Sequence, residues 1–309
     1  MIFFLLPMIF SLLTSMMAIY FLRSYAVKIK LIDSPSARKP HEGNIPLIGG
    51  IVMFIGVMVS IFLSPIFLSP IDFNHLYYYL IAVLLMVIVG AIDDYRNISV
   101  SYRLIFQTIA ALIVVSAGET SIESLGNILG HGEVILDKWN VLFSVLVIIA
   151  GINAVNMADG IHGLAGGNSL ISFVAISFLS INSSLQYSLL VSLLFCSVLP
   201  VFLVYNLCIG VSVNKRIFMG DAGSMFIGLS LVWLLINFSQ GQGRSFSPVI
   251  ALWLFALPVL EITSTVSRRL ISGVSPFKPD LSHTHHILLK LGFSQKNTLV
   301  FLLTFSIFM

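Results

Sequence analysis

The chain has 309 residues, of which 58% are hydrophobic and only 9% are charged, and its mean hydropathy is +1.02. Soluble domains carry roughly 25% charged residues, so this composition excludes a soluble domain and indicates that lipid surrounds most of the chain. The formal net charge of +3 predicts no nucleic-acid partner, and the two cysteines, Cys196 and Cys208, are too few for a disulfide framework.

Stretches of about 20 mostly apolar residues predict membrane-spanning helices. In chain order the predicted spans are 1–22, 46–68, 75–92, 103–118, 139–157, 164–181, 185–209, 217–237 and 247–267. We expect 298–309 to begin a tenth span that is cut off. The first span should be retained, because a secretory signal begins with basic residues and here the first, Arg23, follows the apolar run. The sequence therefore predicts an all-α, polytopic transmembrane bundle of about ten spans, with 1–309 as a single domain.

Lysine and arginine are distributed unequally between the two sides of this bundle. Counted with the adjoining span ends, 14 of the 16 Lys and Arg residues lie on one side. The loops of that side are 23–45, 93–102, 158–163, 210–216 and 268–297. The positive-inside rule places them in the cytoplasm and Met1 outside.

Polar groups at a membrane boundary are costly, and five such groups lie on the predicted cytoplasmic side. The first is the pair Asp93 and Asp94 at the end of the third span. Adjacent carboxylates repel each other unless a cation compensates their charge. The pair indicates a cation or phosphate site, and a solvated helix end is the alternative.

The second group is a polar stripe in NAVNMADGIHGLAGG, residues 153–167. Its members recur every three residues and are Asn153, Asn156, Asp159 and His162. On a helix, that spacing places side chains on nearly the same face. The glycines that follow would admit a ligand close to the backbone or break the helix. The stripe favours phosphate or sugar binding, and a plain helix end with small-residue packing is the alternative.

Three further groups complete the set. Asp221, in MGDAGS, is open to a ligand or serves only as a helix cap. His283, His285 and His286 can bind a metal or, when charged, a diphosphate, and solvated loop histidines are the alternative. Lys39, in a basic segment over 33–50, faces either a ligand or lipid headgroups non-specifically. Together the groups predict a site for a diphosphate and Mg²⁺ or Mn²⁺, since hard oxygen ligands favour those ions.

In order along the chain, five motifs resemble the polyprenyl-phosphate N-acetylhexosamine-1-phosphate transferases, within glycosyltransferase family 4. They are RKPHEGNIPLIGG, IDDYRNIS, NAVNMADGIHGLAGG, FMGDAGS and RRLISGVSPFKPDLSHTHHILLKLGF. The HxHH form of the last is typical of the WecA-like branch. The resemblance implies transfer of N-acetylglucosamine-1-phosphate from UDP-N-acetylglucosamine to undecaprenyl phosphate, with release of UMP, at the bacterial cytoplasmic (inner) membrane. A homodimer is left open.

The resemblance also implies residue roles. Asp221 and Asn156 match the Mg²⁺ ligands, and Asp93 with Asp94 match a pair that positions or deprotonates the lipid phosphate. Asp159 matches a residue of nucleotide-sugar handling. Lys39, with Arg38, would lie near the acceptor phosphate. The groups expected at the donor diphosphate are His283, His285, His286 and Arg103.

The chain departs from the family pattern at several positions. His162 replaces an aspartate of the usual DGxDG motif, Asn97 ends the DDxxD pattern, and Glu261 stands where aspartate is usual. The sugar is therefore left open between UDP-N-acetylglucosamine and other UDP-N-acetylhexosamines. The rival hypotheses are a non-catalytic relative and, more remotely, a secondary transporter. A transporter would place its polar groups near the midplane, within paired repeats, which the sequence does not show.

Overall fold

The computed structural model describes residues 2–35, 43–66, 74–128, 130–273, 275 and 283–309, and within these ranges the chain is almost entirely helical. The helices are α1 (Ile2–Lys28), α2 (Gly49–Leu63), α3 (Asn74–Arg96), α4 (Val100–Leu112, continued by a π-helical turn over Ile113–Ala117), α5 (Asn140–Ala158), α6 (Leu164–Leu179), α7 (Gln186–Asn206), α8 (Gly220–Ser239), α9 (Pro248–Leu254), α10 (Ala256–Ile271), α11 (Thr284–Lys290) and α12 (Gln295–Phe308).

Among the described residues, each predicted apolar stretch coincides with one helix or, for 247–267, with the pair α9 and α10, but fewer than ten helices are long enough to cross a membrane. Six of the described helices qualify by length and composition, or seven if α9 and α10, bent by 79°, form one broken span. Helices α2 and α6 have only 15 and 16 residues. At 1.5 Å per residue, 15 residues reach roughly 23 Å, short of the 30 Å hydrocarbon core. The protein is an all-α, multi-pass membrane protein, and the expected count of about ten spans was too high.

Helix α8 lies at the centre of the bundle and is almost completely buried, whereas α1 is largely exposed. Close contacts between small residues hold α8 against α2 and α3. A Cβ added at Gly50 would lie 2.1 Å from the backbone nitrogen of Gly223, and one at Gly90 would lie 2.4 Å from Cα of Ala222. Small residues allow this close approach of helix backbones in membranes. The N-terminus of α8 is therefore held between two neighbouring helices.

The described connections form two groups, at two ends of the bundle. We call the end formed by 93–99, 156–163, 217–224 and 283–290 the site end. The end formed by 118–128, 130–139 and 239–248 is the opposite end. At the site end, a two-residue strand, β1 (Ile32–Asp33), pairs antiparallel with β2 (Ile45–Pro46). The N–H of Phe218, which precedes α8, donates to the carbonyl of Pro46, the last residue of β2, at 2.9 Å.

Candidate active site

Asp94 caps the N-terminus of α8 from the end of α3. Its Oδ1 accepts the Asp221 N–H at 2.8 Å and its Oδ2 accepts the Ala222 N–H at 3.2 Å. The first N–H groups of a helix have no partner within that helix, so this carboxylate satisfies two of them. Gly220 has φ +73°, and a Cβ there would lie 2.4 Å from Asp94 Oδ2. The capping contact thus requires glycine at position 220.

Asn156 joins the end of α5 to the same point. Its Nδ2 donates to Asp221 Oδ1 and, at 2.9 Å, to Ser224 Oγ. Because both amide hydrogens are used in this way, the Oδ1 of Asn156 is its remaining acceptor. An amide and a carboxylate from different helices are therefore in direct contact, and their role as metal ligands stays a prediction.

Asp93 is buried beside Arg103. Its Oδ2 pairs with Nη1 of Arg103 at 3.0 Å, and its Oδ1 accepts the Ile98 N–H at 2.9 Å. Arg103 was expected with the histidines, at the donor diphosphate, and the structure pairs it with Asp93 instead, so its role at the donor stays a prediction. Asp221 lies within electrostatic reach of both Asp93 and Asp94. Three mutually repelling carboxylates thus converge, with one guanidinium among them.

These carboxylates fit a divalent cation that is shared with a phosphate ligand. In the part of the chain that the structure describes, no three His, Cys, Asp or Glu side chains form a closed metal site. Mg²⁺ rarely needs such a cage, because it is commonly held by one or two carboxylates together with substrate phosphates and water. Asp221, the Oδ1 of Asn156 and the surplus negative charge suit an ion bound in that way.

The histidine motif is folded against the glycine turn that follows α5. His285 is completely buried, and both of its ring nitrogens lack a hydrogen-bond partner among the described residues. A Cβ added at Gly160 would lie 2.0 Å from His285 Nε2. Burial, with the neighbouring His286, lowers the pKa of the His285 imidazole to about 4, so this ring is neutral at pH 7. A solvated-loop interpretation does not fit His285.

The predicted polar stripe is interrupted. Helix α5 ends at Ala158, so Asp159 and His162 lie on the turn beyond it rather than on one helical face. The second option raised by the glycines, a broken helix, is confirmed. Asp159 is exposed at the helix C-terminus, and the His162 ring lies 5.0 Å from that of Phe218. The expectation that helical spacing places His162 on the same face as Asp159 was wrong, and contact of both residues with one ligand stays a prediction.

Asn153 has a structural contact that the sequence did not indicate. Its Nδ2 donates to Oε1 of buried Gln107, on α4, at 2.7 Å and to the Ile149 carbonyl at 2.8 Å. This amide therefore joins α5 to α4. Its role in substrate binding stays a prediction. Lys39 lies outside the described residues.

Sequence reasoning missed Asn206, a buried residue at the end of α7. Its Oδ1 accepts the Gly163 N–H at 2.7 Å, and its Nδ2 donates to the Ile217 carbonyl at 2.9 Å. One side chain thus ties the glycine turn to the segment that leads into α8. An amide at the end of an otherwise apolar span was the signal that could have revealed it, because buried amides need partners.

Contacts join the described parts of all five motifs at the site end. Asp94 reaches Asp221, Asn156 reaches the same aspartate, and Gly160 packs on His285. The segment before α2 runs beside the one before α8, where Gly49 N–H donates to the Phe218 carbonyl at 2.9 Å. Motifs that are far apart along the chain therefore form one cluster at one end of the bundle.

The fold and the cluster define a class of protein: a multi-pass helical membrane protein with a polar site at one end of the bundle. Comparison with known proteins then identifies the family. Residues 76–239 match the glycosyl transferase family 4. The chain is 38% identical over 283 residues to the undecaprenyl-phosphate alpha-N-acetylglucosaminyl 1-phosphate transferase of Salmonella typhi, covering 91% of this chain and 75% of that protein.

Two further relatives bear the same name. The protein of Yersinia pestis is 35% identical over 294 residues, covering 95% of this chain and 79% of the relative. The protein of Haemophilus influenzae is 35% identical over 286 residues, covering 92% and 78%. The chain belongs to glycosyl transferase family 4, and the family resemblance of its five motifs is confirmed.

Proposed function

We propose that this protein transfers N-acetylglucosamine-1-phosphate from UDP-N-acetylglucosamine to undecaprenyl phosphate and releases UMP. The reaction would be the first membrane step in the synthesis of a cell-surface polysaccharide, such as O-antigen or a related glycan. The names of the relatives support the reaction. The observation that carries it is the convergence of Asp94, Asn156 and Asp221 at the N-terminus of α8.

The chemistry follows from charge. An oxygen of the lipid phosphate attacks the sugar-bearing phosphorus of the donor, and the phosphorus–oxygen bond to UMP breaks as the new one forms. Because an anion attacks an anion, positioning and charge compensation supply most of the catalysis. Mg²⁺ or Mn²⁺ held by Asp221 and Asn156 would neutralise charge on the diphosphate. One phosphoanhydride replaces another, so the reaction should be reversible.

The carboxylates have different tasks in this proposal. Asp94 keeps the α8 N-terminus, and hence Asp221, in place through two backbone hydrogen bonds. Asp93, oriented by Arg103, meets the lipid phosphate and accepts its proton if that phosphate arrives protonated. The histidine cluster and Asp159 contact the donor. A buried neutral imidazole such as His285 can donate one hydrogen bond to a phosphate oxygen.

The decisive assay uses purified protein with undecaprenyl phosphate and a panel of UDP-N-acetylhexosamines, with UMP as the readout. We expect UMP release that requires both substrates, is fastest with UDP-N-acetylglucosamine, and stops with a chelator until Mg²⁺ or Mn²⁺ is restored. A faster rate with another UDP-N-acetylhexosamine would change the sugar and keep the reaction. Donor or lipid binding without UMP release would identify a non-catalytic relative. Substrate flux across vesicles without UMP release would identify a transporter.

The location of the site is part of the proposal: the cytoplasmic face of a bacterial inner membrane, with Met1 outside. In a background without Cys196 and Cys208, single cysteines would be introduced at exposed Ser212, at the site end, and exposed His131, at the opposite end. An impermeant thiol reagent added to spheroplasts should label His131→Cys alone. Labelling of Ser212→Cys from outside would reverse the orientation.

A further inference from the structure

Glu261, on α10, is a buried acid at the site end to which nothing above gives a role. Its side chain is 2% exposed, and its Oε2 accepts the Thr284 N–H at 3.2 Å. Thr284 is the first residue of α11, and the residue before it, His283, makes no side-chain capping bond. The first N–H of this helix is therefore satisfied by a carboxylate from α10, in place of a local cap.

The same carboxylate also faces the histidine that precedes α11. Nδ1 of His283 lies 3.8 Å from Glu261 Oε2 and 3.4 Å from Oγ1 of Thr265, one helical turn further along α10. Thr265 is completely buried. Two side chains on one face of α10 thus fix both the backbone and the first ring of the histidine motif.

The rings of the three histidines pack against one another. The His283 and His285 rings are parallel, with centroids 5.6 Å apart, and the centroids of His285 and His286 are 4.2 Å apart. His285 fills the space above Gly160, where a Cβ would collide with the ring. The position of α11 therefore decides whether His285 reaches the glycine turn at Gly160.

We propose that Glu261 is a positioning residue that, through the Thr284 N–H and His283, holds the histidine motif against the turn at Gly160. The proposal rests on the proposed transferase function, because it assigns the histidines to the donor diphosphate. Without the carboxylate, α11 loses its attachment to α10 at this N–H, and the buried rings lose the negative charge that faces them. Outer-shell groups that orient metal-ligating side chains typically cost 10–100-fold in affinity or activity when removed, and we expect an effect of that size here.

Three substitutions separate the parts of this role. Glu261→Ala removes the acceptor and the charge, and we expect kcat/KM for the donor to fall about 100-fold. Glu261→Gln keeps an oxygen for the Thr284 N–H but loses the charge, so we expect about a tenfold loss. Glu261→Asp keeps both the acceptor and the charge on a shorter side chain, so it should retain most of the activity. The KM for undecaprenyl phosphate should change by less than about twofold, since Asp93 and Arg103 are untouched.

A readout independent of turnover is the reactivity of the histidines. In the full-length protein, diethyl pyrocarbonate should modify buried His285 far more slowly than exposed His131. In Glu261→Ala, the rate at His285 should rise about tenfold or more, because the segment opens locally. The matched control is Glu133→Gln, which removes an acid at the opposite end and should leave the His285 rate and the turnover unchanged.

These outcomes separate the two proposals. Unchanged protection of His285 and unchanged donor kinetics in both Glu261→Ala and Glu261→Gln would overturn the positioning role while leaving the transferase intact. Increased reactivity of His285 in a protein that releases no UMP even as wild type would retain the positioning role and overturn the transferase. If Glu261→Ala does not fold, the nearly isosteric Glu261→Gln decides by the same two measurements.

Discussion

Charged side chains are buried and paired at the site end of the bundle but largely exposed at the opposite end. At the site end, Asp93 is 4% exposed and paired with Arg103, and Asp94 bonds to backbone amides. At the opposite end, Glu133 pairs with Arg244 at 2.9 Å, but the two side chains are 46% and 37% exposed. An exposed ion pair contributes little, whereas breaking a buried one leaves an uncompensated charge.

Buried charged groups are found at the site end, whereas neutral hydrogen bonds hold a loop at the opposite end. There, Gln240 Oε1 accepts the N–H groups of Glu123 and Ser124, each at 3.1 Å. Those bonds fasten a loop. At the site end, carboxylates set the position of α8 and converge on one point. Substitutions that disturb the converging carboxylates at the site end should therefore lower activity strongly, and chemically similar ones at the opposite end should not.

The largest effect should come from Asp221→Asn. An amide is a weaker ligand than a carboxylate for a hard cation, so turnover should fall by about a thousandfold, or roughly 4 kcal/mol of transition-state stabilisation. UMP release measured over a range of Mg²⁺ concentrations tests this. Wild-type turnover by the variant at limiting Mg²⁺ would return Asp221 to the role of a helix-terminal residue.

Gly220→Ala should lower turnover by about 100-fold, because a misplacement of about 1 Å in a site can cost that much. Alanine at φ +73° is strained, and its Cβ would collide with Asp94 Oδ2, so the cap that places Asp221 must shift. Gly241→Ala is a matched control at the opposite end, because Gly241 has φ +75° and no atom within 4 Å of an added Cβ. Both variants carry the same backbone strain of about 1–2 kcal/mol. Equal turnover of the two would show that the Asp94 contact has no part in catalysis.

The members of the site could be predicted from sequence better than their partners could. Asp94, Asn156 and Asp221 stand out because they are polar residues in an apolar chain. That Asp94 caps α8 depends on how closely α3 and α8 pack, which Gly90 and Ala222 decide only in three dimensions. The spacing of Asp159 and His162 is compatible with a helix, yet α5 ends before them. Spacing predicts a face only while the helix continues.

A smaller effect is expected at His162, the site-end position that departs most from the family pattern. Its ring lies 5.0 Å from that of Phe218, a contact that aspartate cannot make. An imidazole can replace a hydrogen-bonding carboxylate, and the cation is assigned to Asp221 and Asn156. We therefore expect His162→Asp to change the rate or sugar preference by about tenfold or less, about 1.4 kcal/mol.

His162→Asn is the control for the new charge, and kcat/KM across the UDP-sugar panel is the measurement. An inert wild type that gains UMP release by orders of magnitude in His162→Asp would mean that the natural chain is a degenerate relative. Comparable activity of all three proteins would mean that position 162 needs only a polar side chain.

The smallest effect should come from Glu133→Gln, which alters the exposed pair at the opposite end. Turnover should stay within about twofold of wild type, since the change is distant from the site.

A hydrogen bond from Ser124 Oγ and the charge of Arg244 lower the pKa of Glu133 below its ordinary value of 4.5. A carboxyl group whose pKa is lower in the folded than in the unfolded state stabilises the folded protein. The stabilisation is complete at a pH above the unfolded-state pKa, and it disappears as the pH falls through the folded-state pKa. Wild type should therefore unfold at a slightly higher temperature than Glu133→Gln near pH 7, and the gap should close below pH 4.5. A gap that persists in acid, or a large loss of turnover, would show that the opposite end is coupled to the site and that the contrast between the ends is wrong.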